Sequence, residues 1–274
     1  MLSQMIFFQT TQLQKIIIPI DFQAEIKRLE NDDSYQAVRD YGGNIVNVLG
    51  KIVNVENGFV IVLSPFLFTQ DQDTQTRSKT IFHEIFHAVN RKYFPKTLNV
   101  SYVSSIYYGK LYSLYDEYSC DCFASRSVNA MFPTKSELWE KNISMNIQGF
   151  IDVITNRMYY DYLKEEIKAF RIHEDTNRFL ERTRKQVDEM VFTLVHTFSL
   201  AHFYPSRISI DTLSESPFVN KKTFALMDYL KEKESKREKR LDDGLDVTIG
   251  FFENFAVRYE YVDTERYFCR VLDI

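Results

Sequence analysis

The chain has 274 residues, enough for one large domain or two modest ones; 45% are hydrophobic and 26% charged, as in ordinary soluble globular proteins. Its formal net charge of −4 gives no electrostatic reason to expect direct binding to nucleic acid. No Lys or Arg precedes Lys15, no apolar run is long enough to span a bilayer, and three cysteines do not form a disulfide framework. We therefore expect a cytoplasmic protein with no membrane partner.

Short elements are predicted for the first part of the chain. Ile16–Ile20 is a short strand or a packed lead-in, and Asp21 is the N-cap of a helix over 22–30. A second helix over 33–40 ends at Gly42–Gly43. Three β-rich segments then predict a small antiparallel sheet over 44–64, and they cover 45–49, 51–55 and 58–63.

Two longer helices are predicted next. The first covers about 76–91, where apolar residues are spaced as one buried face, namely Ile81, Phe82, Ile85, Phe86 and Val89. Residues 96–110 are predicted to be loop or weak strand, and the second helix covers about 111–130. Beyond it we expect mostly helix over 136–204, a helix over 221–240 and two strands within 255–274. In the predicted sheet over 44–64, Asn57–Gly58 indicates a tight hairpin turn.

The first long helix contains the sequence His83-Glu84-Ile85-Phe86-His87. Residues four apart lie on one face of a helix, so His83 and His87 can direct two imidazoles at a single metal ion. Glu84 lies one step round the helix, where its carboxylate can reach a water molecule. His-Glu-x-x-His of this kind is typical of zinc hydrolases, which take a third ligand from another element.

The second long helix offers carboxylates for that third position. Glu117 and Asp121 are four residues apart and share a face, within the stretch Glu117-Tyr118-Ser119-Cys120-Asp121-Cys122-Phe123-Ala124. With the His-Glu-x-x-His helix before it and Met131-Phe132-Pro133 after it, this stretch resembles the ImmA/IrrE family of metallopeptidases. The resemblance covers residues 58–135, and it extends less distinctly over the N-terminal 57.

The resemblance implies a gluzincin-like site that holds one Zn²⁺. His83, His87 and Glu117 would be the metal ligands, Glu84 the general base, and Asp121 a partner for the other ring N–H of a ligand histidine. Zinc suits this donor set best, although manganese and iron also bind such residues. Neutral imidazoles are required as ligands, so metal affinity is expected to fall in acid.

Three residues depart from the family pattern. The family usually has Gly where this chain has Phe86, small Ala where it has Cys120, and no residue equivalent to the inserted Phe132. Cys120 and Cys122 are either rival metal ligands or small buried hydrophobes in a helix. An oxyanion donor is also needed for amide hydrolysis, and the candidates are His196, His202, Tyr102, Tyr107, Tyr108 and Tyr204.

The fold class expected from these features is α+β. A small N-terminal antiparallel sheet would pack with zincin-type active-site helices in a metallopeptidase-like core over 1–135. A mainly helical region of unassigned role would follow over 136–274.

The predicted function is that of a zinc-dependent endopeptidase. The resemblance implies a protein substrate, namely a helix-turn-helix repressor met in trans. Two alternatives remain open from the residues: a metallohydrolase acting on a non-protein substrate, and a non-catalytic interaction protein stabilised by its metal. The oligomeric state is not predicted.

Overall fold

A computed structural model describes residues 13–41, 44–93, 102–208, 210–238, 240–261 and 267–272. The strands are β1 Leu13–Ile17, β2 Val38–Tyr41, β3 Asn44–Asn47, β4 Gly50–Val55, β5 Gly58–Leu63, β6 Val257–Tyr261 and β7 Tyr267–Val271. The helices are α1 Phe22–Glu30, α2 Thr74–Tyr93, α3 Tyr102–Met131, α4 Glu137–Thr155, α5 Met158–His173, α6 Thr176–Phe203, α7 Ile210–Leu213, α8 Lys221–Ser235 and α9 Leu245–Phe252. Helices and small sheets thus coexist, as expected for the α+β class.

The chain divides into two compact units. The first comprises Met1–Lys92 and Phe123–Asn142, and the second comprises Tyr93–Cys122 and Ile143–Ile274. The long helix α3 contributes to both units. None of the helices in the described residues is both long enough and apolar enough to cross a membrane.

The main sheet of the first unit has the strand order β1-β5-β4. The predicted hairpin is confirmed, because β4 and β5 pair antiparallel, but its two-residue turn is Glu56–Asn57, one residue before the predicted Asn57–Gly58. Gly58 follows that turn with φ of 145°, a conformation that residues with a side chain rarely adopt. The expectation of a purely antiparallel sheet is wrong, since β1 pairs with β5 in parallel.

The predicted helix over 33–40 is also wrong. The side chain of Asp32 accepts hydrogen bonds from the N–H (2.8 Å) and the hydroxyl (2.6 Å) of Ser34, and this local turn competes with helix formation. Val38–Tyr41 then forms β2, which pairs antiparallel with β3. Consequently β3 belongs to a separate two-stranded sheet and does not extend the β4–β5 hairpin.

The central sheet of the first unit is covered by helices on both faces. On one face, Phe22 and Ile26 of α1 pack against Val53, Val60 and Val62. On the other face, α2 contributes apolar side chains to a core cluster built on the alternate strand positions, and the contacting residues are Ile81, Ile85 and Ala88. This alternation along β4 and β5 is the period of two expected for a sheet buried on both faces. Packing against this sheet determines which face of α2 is buried.

In the second unit, α3 begins at Tyr102, so the prediction of loop or weak strand over 96–110 is wrong for 102–110. Residues 94–101 lie outside the described residues. Tyr and Val favour strands by propensity, but this segment is helical because a helix buries one face of it. The almost fully buried residues at helical spacing are Val103, Tyr107, Leu111, Leu114 and Tyr118.

Most of the remaining predictions for the second unit are confirmed. Helix over 136–204 is confirmed by α4, α5 and α6, and the two C-terminal strands by the β6–β7 pair. The helix over 221–240 ends earlier, at Ser235, and α9 was not predicted.

Candidate metal centre

His83 and His87, the two histidines of the first unit, point their Nε2 atoms at the same position. The Nε2 atoms of His83 and His87 are 2.9 Å apart, and the rings meet edge-on with centroids 4.6 Å apart. Both nitrogens can therefore lie at about 2.0–2.1 Å from one zinc ion, the usual distance for imidazole ligands. Metal binding requires the neutral tautomers with the proton on Nδ1. The pair fits zinc in donor type, and the two nitrogens would have to move apart by about 0.4–0.5 Å to reach the spacing of a tetrahedral site.

Glu84 lies between these histidines in the sequence and is held against the β-sheet. Its side chain is only 7% exposed. It fills the space beside Gly50, where an added Cβ would lie 2.8 Å from the Glu84 Cγ and 3.1 Å from its Oε1. The missing side chain at the first residue of β4 thus makes room for this carboxylate. Gly50 was not singled out from the sequence, although a glycine in a strand often marks the close approach of another group.

Replacing Gly50 by Ala is expected to displace the Glu84 carboxylate, because contacts under 3 Å cannot persist. Peptide cleavage should fall by about 10–100-fold, the cost of misplacing a catalytic group by about 1 Å. Zinc content should stay unchanged. The measurement is kcat on a cleaved substrate alongside metal content. Gly149→Ala is the matched control, since a Cβ there meets nothing within 4 Å; equal losses in the two variants would contradict a specific role for Gly50.

The unusual Phe86 is accommodated by an aromatic partner. Its ring stacks on Phe123 of α3, with centroids 4.2 Å apart and ring planes 6° from parallel. The start of α2 is also tied to the chain after α3, because Gln75 donates to the Thr134 carbonyl and accepts from the Ser136 N–H. Within the first unit, α2 is therefore packed against the C-terminal part of α3. A bulky residue at position 86 is part of that packing.

Glu117 and Asp121 belong to the second unit, where both lie near His196 of α6. The His196 Nδ1 is 2.5 Å from the Asp121 carboxylate, and its Nε2 is 3.9 Å from the Glu117 carboxylate. Ser199 donates a second hydrogen bond to Asp121, and Phe150 stacks on the His196 ring. The proposed role of Asp121 toward a ligand histidine stays a prediction. The Asp121 bond orients His196 with Nε2 toward Glu117.

The other candidate oxyanion donors have different surroundings. The Tyr107 hydroxyl accepts a hydrogen bond from the backbone N–H of Tyr259, and the Tyr108 hydroxyl donates to the Asp242 carbonyl. Burial raises the pKa of both phenols. These two hydroxyls link α3 to neighbouring segments, and the His202 ring lies beside Tyr118 and Cys122 of α3. Among the candidates with described surroundings, His196 is the one that lies beside Glu117.

The sequence matches no protein-family model, and no curated protein or solved structure is significantly similar to it. Function is therefore inferred from the residues and their geometry.

Proposed function

We propose that this chain is a zinc-dependent endopeptidase. The observation that carries the proposal is the convergence of the His83 and His87 Nε2 atoms at 2.9 Å, with the buried carboxylate of Glu84 on the same helix. Two imidazoles four residues apart supply two of the three ligands of a catalytic zinc site, and the intervening glutamate supplies its general base.

Glu117 is the proposed third ligand. It lies on α3, the helix whose Phe123 stacks on Phe86 of α2, and the resemblance to the ImmA/IrrE family assigns the same role to this position. Two neutral imidazoles and one carboxylate would leave a net charge of +1 with Zn²⁺. Such a site keeps an open position for a water molecule or a substrate carbonyl oxygen.

When bound, zinc would supply a Lewis acid and would lower the pKa of a water molecule. The chain's own residues carry the proton transfers. The Glu84 carboxylate takes a proton from the attacking water and later gives it to the leaving amine. In its imidazolium form, His196 would donate a hydrogen bond from Nε2 to the oxygen that gains negative charge and another from Nδ1 to the Asp121 carboxylate.

The proposed substrate is a helix-turn-helix repressor protein met in trans, as the family resemblance implies. Cleavage of such a protein would induce the genes that it represses. Incubation with a panel of repressor proteins, followed by mass spectrometry of the fragments, tests this proposal against hydrolysis of non-protein substrates. Fragments from a single defined peptide bond would support it, and an intact panel alongside turnover of a non-protein ester or amide would contradict it.

Metal content provides the most direct test of the site. His83→Ala should remove the zinc ion held by the His-Glu-x-x-His helix, because the remaining imidazole and carboxylate bind zinc too weakly. His173→Ala is the matched control, since the His173 ring accepts a hydrogen bond from the backbone N–H of Asp175 at the end of α5. Zinc is measured by elemental analysis of purified protein. Equal zinc content in His83→Ala and in the unmodified protein would contradict the proposal.

A further inference from the structure

A second group of metal-binding side chains lies within the second unit. Cys122 of α3, His202 of α6 and Glu234 of α8, together called the thiolate cluster, place their ligand atoms within 4.8 Å of one another. The Cys122 Sγ and the His202 Nδ1 are 4.0 Å apart. Cys122 is fully buried and Glu234 is 4% exposed, while His202 is half-buried. Three helices thus bring one sulfur, one nitrogen and one oxygen donor together, away from solvent.

The spacing of these donors is close to that of a zinc site. With metal–ligand bonds of about 2.0–2.3 Å, ligand atoms of a tetrahedral zinc site lie about 3.3–3.8 Å apart. The observed distances therefore require inward shifts of about 0.5–1 Å at most, within reach of small side-chain rotations.

Charge is the second argument. Metal binding displaces the proton of the Cys122 thiol, so the cluster then carries one thiolate and one carboxylate around a neutral imidazole. A divalent cation brings this buried group to zero net charge. The sulfur ligand favours zinc over magnesium or calcium.

Tyr118 supports the cluster from the preceding turn of α3. Its hydroxyl lies 3.2 Å from the His202 Nδ1, and its side chain is 1% exposed. The phenol can donate a hydrogen bond to a thiolate or carboxylate ligand of the cluster.

The neighbouring cysteine has a different environment. The Cys120 thiol donates to the Asp116 carboxylate on its own helix at 3.5 Å. Both cysteines are fully buried, yet Cys122 is the one that approaches His202.

We propose that Cys122, His202 and Glu234 bind a second zinc ion, a structural one that joins α3, α6 and α8. This site is separate in its ligands from the His83–His87 pair, and its existence does not depend on peptidase activity. Three protein ligands leave the fourth coordination position to a water molecule. Because the three donors are largely buried, we expect this ion to stabilise the second unit.

Cobalt substitution of the full chain tests this site. A cobalt ion bound by Cys122 gives a near-ultraviolet thiolate-to-metal absorption, which a His/His/Glu site cannot give. We expect the band in the unmodified protein and in Cys120→Ser and His83→Ala, and its loss in Cys122→Ser. Zinc content should be two ions per chain in the unmodified protein and one in Cys122→Ser. A band that persists in Cys122→Ser, or one lost in Cys120→Ser instead, would overturn the assignment.

A measurement on the unmodified protein covers the case in which Cys122→Ser does not fold. X-ray absorption at the zinc edge should show a sulfur scatterer at about 2.3 Å. With two ions bound, the average is expected to be one sulfur for every two zinc ions. Stoichiometric zinc with no sulfur neighbour would reject the thiolate cluster and leave the His83–His87 site intact.

Discussion

Glu84→Gln is expected to abolish peptide cleavage and to leave zinc bound. The substitution keeps the size of the side chain beside Gly50 but removes the group that accepts a proton from water. General acid–base catalysis contributes about 10²–10⁴-fold to enzymatic rates, so kcat should fall by at least that factor. The ligand histidines are unchanged, and metal content should therefore match that of the unmodified protein.

The measurement combines zinc analysis with cleavage of an identified protein substrate. Glu56→Gln is the matched control, because Glu56 is exposed in the turn between β4 and β5 and should have no effect. If Glu84→Gln retained zinc and full biological effect, proteolysis would not be the function, and the role of an interaction protein stabilised by its metal would replace it. Loss of both zinc and activity would instead show that Glu84 is needed for metal binding.

Local patterns explain which parts of the fold could be predicted. The apolar spacing of α2 and the turn signal of the β4–β5 hairpin depend on residues close in sequence. The parallel pairing of β1 with β5 joins segments more than forty residues apart, which periodicity cannot show. The start of α3 was missed for a related reason. Its Tyr-rich first turns favour strand by propensity, and their helical conformation is decided by burial.

The candidate site likewise contains residues that could be predicted from the sequence and residues that could not. His83 and His87 could be paired from the sequence because residues four apart on a helix are neighbours. The contact of Gly50 with Glu84 and that of His196 with Asp121 join residues distant in sequence, 75 positions apart in the second case. Residues that support a site are found by their contacts, whereas those on a single helix can be found by their spacing.

His196→Ala is expected to lower kcat by about 10²–10³-fold with little change in KM, the usual cost of losing one hydrogen-bond donor to a developing oxyanion. The ring is oriented by Asp121 and stacked on Phe150, and its Nε2 lies 3.9 Å from Glu117. A donor needed only in the transition state affects kcat and not substrate affinity. Zinc content should be unchanged.

His196→Gln separates donation from packing, because its side-chain amide can still donate a hydrogen bond and should recover part of the lost kcat. Asp121→Asn should cause a smaller loss than His196→Ala, since the imidazole remains but its orientation is no longer held by a charged acceptor. His173→Ala is the control and should match the unmodified protein. Loss of zinc in His196→Ala would identify the ring as a further metal ligand. An equal fall of kcat in the Ala and Gln variants would mean that packing against Phe150, and not a donated hydrogen bond, is what the reaction requires of this residue.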